Sequence, residues 1–171
     1  MIKIVKHKNR NVKRILFILI VIVFLSGIGL GVFSVWDFLE DSENKMEGII
    51  NTYHKNKNIF NDTASYFSNL EGNIYINKES NTHFSVENNL NKKTSKVIIE
   101  DDRVSKDIKI IINDLGFNRI SEEGNSIYFQ KTAFFQYDSG LVYSKDGNKP
   151  SWPNLTVLEG IENTWYYYRS K

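Results

Sequence analysis

The sequence predicts an α+β domain with an antiparallel sheet and one or two packed helices, carried behind an N-terminal transmembrane helix. Three observations lead there. Residues 15–36, ILFILIVIVFLSGIGLGVFSVW, carry no charge. Val104, Ile108, Ile111, Ile112 and Leu115 form an apolar stripe at helical spacing. Beyond Gly116, short β-type runs alternate with turn chemistry, and strands that follow one another through short turns become antiparallel neighbours.

The chain has 171 residues, enough for one domain plus a targeting segment. Residues 1–14 form a basic tail. Lys3, Lys6, Lys8, Arg10, Lys13 and Arg14 precede the apolar run without an acidic residue among them. The whole chain carries +2, so these six cations leave −4 for the remainder. The basic balance therefore belongs to a tail beside an apolar segment and gives no reason to expect a nucleic-acid partner. There is no cysteine. Disulfides, thiolate metal sites, a cysteine nucleophile and a lipid-modified cysteine are excluded together.

As a helix, the run from Ile15 to Trp36 is about 33 Å long at 1.5 Å per residue, enough to cross the hydrocarbon core of a bilayer. A cleavable signal has a shorter apolar region followed by small residues, and a cut after Ser34, with Val32 before it, is the alternative. The run continues through Val35 to Trp36, a residue suited to the membrane interface, and the reading preferred is an uncleaved anchor. Asp37, Glu40, Asp41, Glu43 and Glu47 follow the run with Lys45 as the one cation, so the positive-inside rule puts the tail in the cytoplasm and the rest outside. The lipid bilayer is then the partner of residues 15–36. Gly27 and Gly31 have the G-x-x-x-G spacing that allows close helix–helix contact, although Gly is common in membrane helices for plainer reasons. Type IV pilins also join an apolar helix to an antiparallel sheet, but carry a Gly followed by Phe and a Glu within the apolar stretch. Neither occurs between Arg14 and Phe24.

Leu39, Met46, Ile50 and Tyr53 suit one helix face and suggest a juxtamembrane stalk over 37–57, ended by the linker-like KNKN at 55–58. The extracytoplasmic domain is expected over 58–171. Phe60, Ala64, Phe67 and Leu70 predict a short amphipathic helix over 59–70, with Gly72 just past its end. NIYINK and HFSV read as strands, ENNLNKKTSK (87–96) as an exposed loop, and KVII as the next strand. Asp101 and Asp102 offer caps for a helix over 103–115, and Gly116 follows where a C-terminal cap wants a left-handed residue. FNRIS and SIYFQKTAFFQY flank the turn EEGN, DSG separates Tyr137 from LVYS, and KDGNKP precedes the strands NLTVLE and TWYYYR.

No G-x-S-x-G, P-loop or dinucleotide fingerprint occurs, and no catalytic residue or cofactor is nominated. His7, His54 and His83 have no metal-ligand spacing, and Glu100, Asp101, Asp102 and Asp107 fit helix capping better than a cation site. The aromatic string WYYY is the most suggestive feature. Trp165 and Tyr167 face one side of a strand and Tyr166 and Tyr168 the other, so one pair belongs to the core and the other is exposed or covered. With Trp152 between Pro150 and Pro153, an exposed pair would form a platform for a peptide, a glycan or another envelope protein. The plainer reading is a Tyr-rich sheet packed through cross-strand pairs.

SGLVYSKDGNKP with the ending NTWYYYRSK resembles a C-terminal pattern of small, uncharacterised secreted or membrane-anchored proteins of low-GC Gram-positive bacteria. The resemblance covers the last third of the chain. It implies an envelope location and a sheet-rich domain and brings no activity with it. The functional expectation is a non-catalytic binding or accessory module at the cell envelope. The alternatives are a small envelope hydrolase whose residues meet only in three dimensions, a secreted protein released by cleavage, and a basic tail that contacts anionic lipid.

Overall fold

The computed structural model describes residues 45–80, 83–134, 137–151 and 154–171. The tail, the expected span at 15–36 with Gly27 and Gly31, the start of the expected stalk, and Trp152 lie outside the described residues. Among those described, no helix is long and apolar enough to cross a membrane.

The architecture is α+β. Helix α1 covers residues 45–55 and α2 Lys57–Ser68. Strands β1 (Asn73–Lys78), β2 (Phe84–Leu90) and β3 (Lys93–Lys96) follow, then helix α3 (Asp102–Lys109), which runs into a π-helical turn at Ile110–Asp114. Strands β4 (Arg119–Glu123), β5 (Ser126–Phe134), β6 (Tyr137–Ser144), β7 (Leu155–Glu162) and β8 (Trp165–Ser170) complete an eight-stranded sheet in the order β3-β2-β1-β4-β5-β6-β8-β7. Every neighbouring pair is antiparallel.

The helices begin and end for local reasons. The Asp101 carboxylate accepts from the backbone N–H groups of Arg103 (2.9 Å) and Val104 (3.1 Å), satisfying two of α3's orphan donors. Gly116, at φ +72°, supplies the left-handed residue after the π-helical turn. α2 ends earlier than the expected 59–70 helix, at Ser68 with Asn69 in a right-handed conformation, and Gly72, at φ +98°, lies in the approach to β1 instead of capping that helix. Phe60, Ala64 and Phe67 of α2 and Val104, Ile108, Ile111 and Ile112 of the α3 segment are buried against Ile74, Ile76, Ile120, Ile127, Phe129, Leu141, Trp165 and Tyr167 of the sheet. Full burial of side chains of this size stabilises by about 1.5–3 kcal/mol each.

Four local expectations are corrected. KNKN is no linker: α1 ends at Lys55, Asn56 turns, and α2 starts at Lys57. In the described part of the expected stalk, Ile49 (5 % exposed) and Tyr53 (0 %) belong to the core, and the compact unit begins at Met46. The expected loop at 87–96 is the β2–β3 hairpin, turned by Asn91 and Lys92 at φ +54° and +63°, as a type I′ connection requires. All four β3 residues are exposed, so no apolar alternation marks the strand. KVII forms no strand beyond Lys96, and Ile98 stands 85 % exposed.

DSG is not a turn, because Tyr137–Ser144 runs as one strand. Gly140 is there for space. A Cβ on it would lie 1.9 Å from the Phe129 carbonyl oxygen, beside the register shift between Gln130 and Thr132. The order of the last strands also departs from a simple meander. Because β8 is antiparallel to both β6 and β7, those two run parallel on either side of it, and the connection from Ser144 to Leu155 returns along the strand length.

Gly140→Ala should therefore lower stability by about 1–3 kcal/mol or more. Gly160→Ala, whose Cβ would stand 4.0 Å from the Tyr166 ring, should be close to neutral. Urea denaturation midpoints of the two variants check the contrast.

Candidate functional site

The aromatic strand β8 carries the sequence-nominated residues, and its alternation divides them. Trp165 and Tyr167, each 3 % exposed, point into the helix-covered core. Tyr168 (1 % exposed) and the half-buried Tyr166 belong to a second cluster with Tyr128 and Val142, flanked by Leu155 and Leu158. The β8 aromatics thus form no open platform, and Tyr166 alone of the four keeps appreciable exposure.

On the core side, Trp165 is the meeting point of helices and sheet. Its ring lies 4.9 Å from Tyr53, 5.2 Å from Tyr143, 5.5 Å from Phe129 and 6.1 Å from Phe60, centroid to centroid. Its indole N–H donates to Asn61 Oδ1 at 2.8 Å, which satisfies the one polar atom that burial would otherwise strand. Next to it, at the end of β7, Glu162 accepts from two donors. The Tyr53 hydroxyl donates to Oε1, and Lys57 Nζ donates to Oε2 at 2.8 Å. The His54 ring meets the Tyr53 ring edge-on at 5.5 Å.

The electrostatics of this junction favour holding over reacting. Hydrogen bonds from Lys57 and then Tyr53 keep the Glu162 carboxyl below its ordinary range, so it stays an anion. Burial, followed by the bond to Glu162, pushes the Tyr53 phenol far above its ordinary range, so it stays a donor. Neither group is poised to exchange a proton near neutrality.

On the other face, Tyr128 and Tyr168 meet edge to face, with centroids 5.3 Å apart and planes at 89°. Gly140 is the β6 residue opposite Tyr168. With no side chain there, the ring has room to reach across β6 to Tyr128 on β5. Burial raises both phenols. Asp138 raises Tyr168 further, while Arg119 acts in the opposite sense. Burial also raises Glu123, and Arg119 again opposes it.

Several other charged groups pair within the fold. Glu122, 4 % exposed, pairs with Lys145. Asp146 accepts from Ser144, Asn125 and both the backbone and side chain of Asn148, closing the turn after β6. Asp107, 8 % exposed on α3, is raised by burial and then by Asp62, which itself pairs with Arg103. Among the described residues, no three His, Asp or Glu side chains come together as metal ligands would.

The sequence places Tyr53 on an apolar helix face but gives no signal for its junction with Lys57, Asn61 and Glu162, because Tyr53 and Glu162 lie 109 residues apart and no motif joins them. No protein-family model matches the chain, and no match is found among curated proteins or solved structures.

The pH dependence of the Glu162 junction has a definite sign. A carboxyl held below its unfolded value, about 4.3, contributes stability that is fully present above that pH. The contribution is lost as pH falls through the lower folded value. Glu162→Gln should be less stable than wild type at neutral pH, and the gap should shrink below about pH 4. Thermal midpoints measured from pH 7 to pH 3 read this directly.

Proposed function

We propose that the protein is a single-pass membrane protein with a cytoplasmic N-terminus. Its extracytoplasmic α+β domain serves as a non-catalytic binding or accessory module of the cell envelope. The observation that carries this reading is the asymmetry around residues 15–36, with six cations before the uncharged run and five carboxylates within about a dozen residues after it. The compact unit starts at Met46, so about nine residues, 37–45, join the proposed span to the folded domain. The engagement of Glu122, Asp146 and Glu162 in ion pairs and hydrogen bonds that hold the fold together supports a non-catalytic role.

The absence of native cysteine makes the test direct, because any introduced cysteine is the sole thiol. In intact cells, a membrane-impermeant maleimide should label Lys93→Cys on the exposed strand β3. It should reach Asn11→Cys only after permeabilisation. The intact mass of protein recovered from membranes should equal that of the full chain. A shortened species in the medium, beginning near Val35, would replace the anchored reading with a secreted one. Equal labelling of both positions in intact cells would overturn the topology.

A further inference from the structure

The two edges of the sheet are guarded in different ways. An edge strand presents backbone N–H and C=O groups that can pair with another chain, and folds blunt it with bulges or charge. β7 is bulged, with register shifts between Leu155 and Val157 and between Gly160 and Glu162. β3 is regular, and Lys93 to Lys96 pair residue for residue with Leu90 to Glu87. The Val97 N–H donates to the Val86 carbonyl at 2.9 Å, which carries the ladder one step past the strand. Inward bonding alternates along an antiparallel pair, so Val97, Ser95 and Lys93 bond towards β2, while Thr94 and Lys96 turn their N–H and C=O outward. Among the described residues, no strand pairs with that outer edge.

The side chains along this edge are of two kinds. Lys92, Lys93 and Lys96 are exposed, and among the described residues none of them forms an ion pair. Glu87 stands opposite Lys96, whereas Lys93 faces Leu90 and Lys92 lies in the turn. The exposed large hydrophobic residues among those described are Leu90 (44 %) and Ile98 (85 %), and they flank the two ends of β3. Lysines alone would serve to keep copies of the chain apart, because β3 against β3 sets like charges face to face. Apolar side chains at both ends of the same open edge work against that purpose and fit a partner that covers them.

We infer that β3 is a docking edge that takes an extended acidic segment of a partner protein as a further strand of the sheet. The inference rests on the binding-module reading above and names its surface and the chemistry of its partner. Main-chain pairing at Thr94 and Lys96 supplies affinity, as in other cases where a peptide extends a sheet. The lysines select carboxylates, and Leu90 and Ile98 receive apolar side chains at either end. The same lysines thus exclude the β3 edge of a second copy and admit an acidic strand, which is specificity built from repulsion and attraction together.

Fluorescence anisotropy on the full chain in non-ionic detergent micelles, with empty micelles as the blank, tests the edge. The probe is a short labelled peptide of alternating glutamate and threonine with leucine at each end. It should bind saturably and more weakly as salt is raised, whereas the same peptide with lysine for glutamate should not bind. Lys93→Glu combined with Lys96→Gln should weaken binding on the order of tenfold. Ile98→Ser, at a position too exposed to matter for folding, should weaken it about threefold. Two versions of the peptide, N-methylated at every second residue in one phase or the other, separate strand pairing from charge. One of them should lose binding, because its methyl groups face β3. No saturable binding would overturn the docking edge and leave the membrane topology untouched, since the maleimide labelling reads that independently. Equal binding of both methylated versions and the parent would also overturn it, because charge alone would then hold the peptide. Concentration-dependent self-association of the chain that Lys93→Glu abolishes would give the edge to a second copy and overturn the proposal as well.

Discussion

Phe60 stands where the helices, the sheet and the segment after α3 converge, and its burial is the constraint on which the domain depends. Its ring meets Phe117 and Phe129 at 5.4 Å each, Tyr53 at 6.0 Å and Trp165 at 6.1 Å. Those partners come from α1, the α3–β4 connection, β5 and β8. Rings set at 68° and 81° place edges on faces, the arrangement that aromatic quadrupoles prefer. Truncating a residue in such a position leaves a cavity bordered by several elements that cannot all move inward, which is why buried Phe positions are among the costliest to shorten. The Trp165–Asn61 and Tyr53–Glu162 hydrogen bonds lie at the margin of this cluster and fix its orientation.

The two faces of the sheet solve the same problem differently. One face is covered by α2 and α3 and is built from branched aliphatics and aromatics. The other packs Tyr168, Tyr128 and Val142 tightly with its own side chains as flanks. A glycine in the middle of β6 serves both the backbone, which approaches Phe129 closely, and the Tyr168 side chain opposite it. Such a residue contributes through what it leaves out.

Much of this was legible in the sequence where one physical rule acts locally. The α3 stripe, its Asp101 cap and the left-handed Gly116 need only helix periodicity and capping chemistry. The division of Trp165 and Tyr167 from Tyr166 and Tyr168 follows from the two-residue period of a strand. The reading failed where local rules are silent or mislead. Strand β3 is an edge strand with every residue exposed, so its sequence resembles a loop. Gly140 in DSG has the composition of a turn, yet answers to a neighbouring carbonyl oxygen. The continuity of Ile49 and Tyr53 with the core was hidden by the polar KNKN, which interrupts the chain but not the apolar face. Contacts such as Tyr53 with Glu162 depend on the finished topology and leave no pattern at either position.

The placement of β8 between β6 and β7 has a consequence for how the domain comes into being. Trp165 lies at the heart of the core yet is made after every helix and after seven of the eight strands. Its partner Asn61 precedes it by 104 residues, and Tyr53 precedes Glu162 by 109. Contacts of such sequence separation form slowly, because a long loop must close before they reward it. During synthesis α1 and α2 emerge before any strand of the sheet and α3 before five of the eight, so they have no completed sheet to cover, and the core stays open until β8 inserts between β6 and β7. A polypeptide that cannot close its core early remains threadable for most of its synthesis, the condition a chain must meet to pass unfolded through a narrow pore.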